Sequence, residues 1–268
     1  MTKRPHSRRA VIAGFFLMCL AAASSAETVL ITGANAGIGF AFAEAYAAKG
    51  WDVIATHRRD EIPESLKALQ EKHKNVQVHR MDVRSIEEID ALAKKMSGVP
   101  INVIVNNAGV MLFGEVGDPK AAAAQQFGTL AFDQFDDFMR TNALGPIKIS
   151  EAFISNVRAS KNGKIINISS TVGSISPPIS AFRGGYWYSA SKAALNILMK
   201  NLAYDLKKDG ILVVMFQPGG VRTTKLKDVK FPLTEPSDSV AAMLKTVDTL
   251  TIEDSGKFLR FDGTPEPF

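Results

Sequence analysis

The sequence predicts an α/β protein built as one doubly wound parallel sheet of about seven strands, with helices on both faces, from about Glu27 to Phe268. Three observations carry this. Short apolar runs alternate with helical segments along the chain. The runs are continuously apolar, as strands buried on both faces require. No Pro/Gly/Ser-rich linker divides the chain, so nothing marks a second domain.

The elements follow in order. Residues 28–32 read as a buried strand and 36–49 as a helix, closed by Gly50. Strands at 52–56 and 76–81 bracket a helix at 63–72. A helix at 86–96 leads to a strand at 102–105. Residues 132–160 read as a long helix broken near Gly145-Pro146, because proline cannot donate to the helical ladder. A strand at 164–168 and a helix at 188–207 follow, and strands at 212–216 and 257–261 complete the sheet. There are no internal repeats or low-complexity stretches.

Composition is that of an ordinary globule, with 46% apolar and 22% charged residues. The net charge of +5 is concentrated in the first 26 residues, where Lys3, Arg4, Arg8 and Arg9 face no acid. The rest is nearly neutral, which excludes a nucleic-acid surface on charge grounds. Residues 1–26 have the form of a signal peptide: a basic start, an apolar run from 10 to 23, and small residues Ser24 and Ala26 before Glu27. The run is short for a membrane span. Ser7-Arg8-Arg9-Ala10-Val11-Ile12 also resembles a bacterial twin-arginine signal. The expectation is an exported, periplasmic protein with no stable membrane span once the leader is cleaved. Without cleavage it would be cytoplasmic or anchored through its N-terminus. The only cysteine, Cys19, lies in the leader, so disulfides and thiolate catalysis are excluded for the mature chain. His6, His57, His73 and His79 lack metal-site spacing, so no metal is expected.

The first strand runs into Gly33-Ala34-Asn35-Ala36-Gly37-Ile38-Gly39 and a helix. Glycines there let phosphates approach the backbone, and the helix start offers free N–H groups and a positive dipole end. The second strand ends in His57-Arg58-Arg59, with no acid before Asp60. An acid at this point suits the ribose hydroxyl of NAD, whereas an Arg accommodates the 2′-phosphate of NADP. NADP(H) is therefore favoured over NAD(H), with Arg58 as its reader.

Tyr188 and Lys192 are four apart and share a helical face. A cation about 4 Å from a phenol, at an effective dielectric of about 20, favours the phenolate by roughly 4 kcal/mol. That lowers the phenol by up to about 3 pKa units, toward neutrality, where it can act as a general acid or base.

With these stretches in place, the chain resembles the classical short-chain dehydrogenase/reductases. The resemblance rests on Thr32–Gly39, Asp82-Val83, Asn106-Asn107-Ala108-Gly109, Asn142, Ile168-Ser169-Ser170, Tyr188–Lys192 and Pro218-Gly219, in the family's order. Within the family the chain looks like the C-factor or sniffer-type carbonyl reductases, through Gly184-Gly185-Tyr186-Trp187 and the ending at 255–263. The resemblance implies a Rossmann-type fold and an enzyme interconverting a small carbonyl and an alcohol by hydride transfer. Asn142, Ser170, Tyr188 and Lys192 are the implied catalytic set. Asn142 holds a water of a proton relay, Ser170 binds the carbonyl, Tyr188 donates the proton and Lys192 holds the cofactor ribose. Gly33, Asn35, Ala36, Gly37, Ile38, Gly39, Arg58, Asp82, Val83, Asn106, Ala108, Gly109, Tyr188, Lys192, Pro218, Gly219 and Val221 are the implied cofactor contacts. A homo-oligomer, dimer or tetramer, is compatible with this.

Ser170 and Tyr188 stand farther apart than is usual in the family, so residues 176–185 are expected to form a loop over the site. Residues 223–236 are expected to form a lid. A regulatory NAD(P)-binding protein with little turnover is the alternative. The intact Asn142, Ser170, Tyr188 and Lys192 argue against it, and an NADPH-oxidation assay separates the two.

Overall fold

The computed structural model describes residues 26–114, 117–176, 185–223 and 232–268. The leader, most of the 176–185 loop and much of the 223–236 lid lie outside these residues. Strand β1 (Thr28–Ile31) is buried along its whole length and leads through a glycine turn into α1 (Gly37–Ala48). Then come β2 (Asp52–His57), α2 (Glu64–Lys72), β3 (Val76–Arg80), α3 (Ile86–Lys95) and β4 (Val103–Asn106). A connection containing the short α4 (Pro119–Ala123) and a 3-10 turn (Phe132–Gln134) leads to α5 (Phe135–Met139). A π turn (Arg140–Leu144), α6 (Gly145–Ala152) and α7 (Ile154–Ala159) precede β5 (Lys164–Ile168). After a 3-10 turn (Thr171–Gly173) come α8 (Tyr186–Leu206), β6 (Leu212–Gln217), α9 (Pro236–Thr249) and β7 (Phe258–Arg260).

The seven strands are all parallel, in the order β3-β2-β1-β4-β5-β6-β7. From β1 the chain winds outward to β3, then crosses back to β4 and winds the other way. The reversal lies between β1 and β4, and the crevice above their carboxyl ends is where ligands bind in such sheets. One face buries Phe42, Tyr46, Leu66, Phe216, Met243 and Leu244 under α1, α2 and α9. The other buries Ile89, Leu92, Phe153, Leu195 and Met199 under α3, α6 and α8. This is the single-domain, Rossmann-type α/β sheet the sequence implies.

Four elements differ from the sequence reading. The expected 132–160 helix is divided into α5, α6 and α7, and its irregularity is the π turn just before Gly145-Pro146. Pro146 has no N–H, so the Asn142 carbonyl receives no bond from the residue four positions on. Helix α9 was not anticipated, although Val240, Met243, Leu244 and Val247 have helical spacing and are buried. It packs on α1. Helix α4 was also missed, because its three alanines offer no apolar pattern. Helix α8 begins two residues earlier than expected, at Tyr186.

The start of α1 lies against the glycine turn. A Cβ at Gly39 would collide with the Gly33 carbonyl oxygen and the Asn107 amide. Gly39→Ala is expected to overpack this junction by about 1–3 kcal/mol. At this chain length that lowers Tm by roughly 2–12 °C, readable by calorimetry.

Candidate active site

The strand ends place the sequence-derived residues along one crevice. Gly33 has φ +63°, and a Cβ there would lie 3.0 Å from the Ala108 Cα. The β1 turn and the β4 end therefore touch through a glycine. Asn107 locks this contact: its Nδ2 donates to the carbonyls of Thr32 (2.9 Å) and Gly33 (3.2 Å). The Thr32 hydroxyl accepts the N–H groups of Asn107 and Ala108, both at 3.0 Å. Asn35 is held through its carbonyl by the Ser65 hydroxyl (2.8 Å), and Ile38 packs into the core. Helix α1 starts at Gly37, preceded by Ala36, with no side-chain cap and no acid in its first turn. Its N–H groups and dipole thus face the crevice uncapped, and they fit the pyrophosphate of a dinucleotide.

Arg58 is exposed at the end of β2, and its charge helps hold the Asp82 carboxyl low. Arg84 is the larger influence on that carboxyl. Its side chain binds both carboxylate oxygens at 2.9–3.2 Å, and its backbone N–H donates to Oδ1 at 2.9 Å. Arg84 also bridges to Asp137 at 2.8 Å, tying the β3 end to α5. Val83 is buried against Gly145, where a Cβ would lie 2.6 Å from the Val83 carbonyl oxygen.

The reacting end lies over β4 and β5. Asn106 and Asn167 face each other on these strands, with a 2.9 Å hydrogen bond between their side chains. The Lys192 ammonium is buried and donates to the Ile168 carbonyl at 2.7 Å. Two glycines lie beside this lysine. A Cβ at Gly109 would sit 3.8 Å from Lys192 Nζ, and one at Gly173 would meet the Lys192 carbonyl carbon at 2.7 Å. Asn142 is fully buried in the π turn. Its Oδ1 accepts from Val110 N (2.8 Å), and its Nδ2 donates to Val110 O (2.7 Å) and Ser191 Oγ (2.9 Å). Both amide protons are thus spent on positioning, and its side chain clamps the segment after β4. Ser169 is bonded to Asn196 at 2.6 Å, while Ser170 is the serine whose hydroxyl acts on the Tyr188 phenol.

The electrostatics differ from the sequence expectation. Burial of its hydroxyl end pushes the Tyr188 phenol up, and the Ser170 hydrogen bond opposes this. Tyr188 as a whole residue remains half-exposed. Lys192 lies 5.9 Å from the Tyr188 ring centroid and donates one of its three N–H groups to the Ile168 carbonyl. Burial brings Lys192 down to about 8. A phenol lowered toward neutrality by a close ammonium is therefore not the arrangement of the free protein.

Pro218 and Gly219 follow the end of β6. The Pro218 carbonyl accepts from Ser239 at 2.6 Å. Gly219 has φ +89°, and a Cβ there would lie 3.1 Å from the Phe261 ring. Val221 is buried and pairs with Thr234. The sequence reading named neither Gly173, Arg84 nor Gln125 as part of this region. Gly173 alone carried a local signal, a glycine three residues after the serine of the strand end. Among the described residues no cluster of His, Cys, Asp or Glu could hold a metal, and no helix is long and apolar enough to cross a membrane.

Comparison with known proteins matches this arrangement. Residues 27–232 match the short chain dehydrogenase family. The 1-hydroxy-2-glutathionyl-2-methyl-3-butene dehydrogenase of Rhodococcus sp. is 33% identical, covering 89% of this chain and 98% of its own. The NADPH-bound carbonyl reductase from chicken fatty liver superposes with a TM-score of 0.81 at 29% identity, covering 91% of this chain and 99% of its own. The carbonyl reductase Sniffer of D. melanogaster gives 0.78 at 26% identity, over 91% of this chain and 100% of its own. The uncapped helix above a glycine turn, the buried Lys192 and the Tyr188–Ser170 pair thus sit in a fold and sequence of one kind: the chain belongs to the short-chain dehydrogenase/reductase family and is an oxidoreductase.

Proposed function

We propose that the protein interconverts a small-molecule carbonyl and its alcohol using NADP(H), with Tyr188 as the proton donor and acceptor. The observation that carries this reading is the Tyr188 phenol under the influence of the Ser170 hydroxyl, one helical turn before a buried Lys192 at the strand-end crevice. The cofactor, when bound, supplies the hydride that reduces the carbonyl carbon. The glycine turn and α1 would hold its pyrophosphate, Arg58 its 2′-phosphate, and Asp82 and Val83 its adenine. Residues 106–109, Pro218, Gly219 and Val221 would line the nicotinamide end.

Ser170 and Tyr188 present two hydroxyls to one oxygen. Hydrogen bonds aimed at developing negative charge in a buried site favour the transition state over the ground state. In reduction the Tyr188 O–H bond breaks and its proton passes to the substrate oxygen, so hydride and proton together make the alcohol. The raised phenol keeps Tyr188 protonated at neutral pH, which suits a donor in this direction. The Asn142 backbone carbonyl, released from its usual helical bond by Pro146, is the atom suited to hold a relay water. The NADPH-bound relative and the basic end of β2 support NADP over NAD.

Tyr188→Phe keeps the ring and loses the proton. Turnover of an aldehyde by NADPH oxidation is expected to fall by about 10²-fold or more, with the NADPH Kd held within about threefold. Wild-type kcat in this variant would remove Tyr188 from the chemistry.

Arg58→Asp reverses the charge offered to a 2′-phosphate. The ratio of kcat/KM for NADPH over NADH is expected to drop by about tenfold or more, as for one lost charge-assisted hydrogen bond of about 1.5–3 kcal/mol. Steady-state kinetics with both cofactors checks this, and an unchanged ratio would assign the preference elsewhere.

A further inference from the structure

We infer that Gln125 is a positioning residue for Tyr188, acting by capping the helix that carries it. The inference rests on Tyr188 being the proton donor. Helix α8 begins at Tyr186 without a side-chain cap from its own flank. A helix leaves its first N–H groups without intrahelical partners. Here the first intrahelical bond is Ser189 N to Gly185 O, 2.7 Å, so the N–H groups of Tyr186, Trp187 and Tyr188 must be satisfied from outside.

Gln125, from the connection between β4 and α5, satisfies all three. Its backbone carbonyl accepts Tyr186 N at 3.2 Å. Its side-chain Oε1 accepts Trp187 N at 3.1 Å and Tyr188 N at 3.4 Å. The third of these residues is the proton donor itself. Gln125 is only 3% exposed, and among the described residues its Nε2 has no hydrogen-bond partner. The side-chain contacts of this amide with the helix run through its oxygen, which a helix N-terminus attracts.

The surrounding segment is fastened to the same turn. Trp187 Nε1 donates to the Ala131 carbonyl at 2.9 Å, and the Trp187 ring meets Phe132 and Phe135 edge-on at 5.5 and 5.2 Å. Phe127 lies against Tyr186. The loop carrying Gln125 is closed by Ala131 N to Ala124 O at 3.0 Å.

The consequence divides α8 in two. Lys192, one turn on, is anchored by β5 through the Ile168 carbonyl. Tyr188 lies in the first turn, where helices fray when uncapped. Loss of the Gln125 oxygen should therefore displace the phenol from Ser170 while leaving Lys192 and the glycine turn in place. Misplacement of a reacting group by about 1 Å can cost about 10²-fold in rate without loss of binding.

The test compares Gln125→Leu, Gln125→Glu and Tyr188→Phe with the wild type, using NADPH and the best aldehyde of a panel. Leu fills the space without an acceptor, while Glu restores the acceptor and carries no unpartnered N–H. Gln125→Leu is expected to lower kcat by about tenfold or more with the NADPH Kd unchanged. Gln125→Glu is expected to return kcat to within about threefold of wild type. Wild-type kcat in Gln125→Leu overturns the inference, and so does a parallel loss of kcat and NADPH binding that Glu does not rescue. If Gln125→Leu does not fold, Gln125→Glu decides alone, through kcat near wild type or its loss with NADPH binding intact. An inactive Tyr188→Phe beside a fully active Gln125→Leu removes only this inference. A fully active Tyr188→Phe removes the proposed function instead.

Discussion

The buried ammonium of Lys192 is the constraint around which this site is arranged. A charge out of water is costly unless it is hydrogen-bonded, and the cost lowers the pKa of a cation. Lys192 meets one carbonyl, that of Ile168, and burial brings it down to about 8. Its neighbours make that placement geometrically feasible. Gly173 lets the backbone after β5 lie against the Lys192 main chain, and Gly109 leaves space beside the ammonium. A side chain at Gly173 would push the helix away from the strand end.

A polar seam holds the elements that surround it. Asn106 bonds Asn167 across β4 and β5, Asn142 clamps Val110 and Ser191, and Ser169 bonds Asn196. These contacts join two strands, the π turn and α8 inside an otherwise apolar interior. Buried networks of this kind specify one arrangement because each unmade bond is expensive. The seam thus fixes where Tyr188, Ser170 and Lys192 stand relative to one another. The crevice side is built differently, from a glycine turn closed by Asn107 and an uncapped helix start.

Much of this was legible in the sequence because short-range patterns carried it. Apolar runs marked all seven strands, with ends differing from the observed ones by at most one residue. Tyr188 and Lys192 share a helix, and Gly33, Gly37 and Gly39 sit in the turn between β1 and α1. What escaped depends on contacts distant in sequence. Gln125 lies 63 residues from Tyr188, and nothing local to either predicts the cap. The tyrosine–lysine electrostatics also escaped, because spacing along a helix does not tell where a flexible ammonium points. Here it points to Ile168, and burial outweighs attraction at the phenol. Helix α9 was different: its apolar spacing was present and was passed over between the lid and the last strand.

The central claim is that this site moves a hydride to a carbonyl carbon while Tyr188 supplies the proton. The direct measurement is reduction of an aldehyde with NADPH deuterated at C4, each of the two C4 positions being labelled in turn. Mass spectrometry of the alcohol should show deuterium on the carbinol carbon from only one of the two labelled cofactors. Unlabelled alcohol from both, or cofactor oxidation without alcohol, would contradict the account.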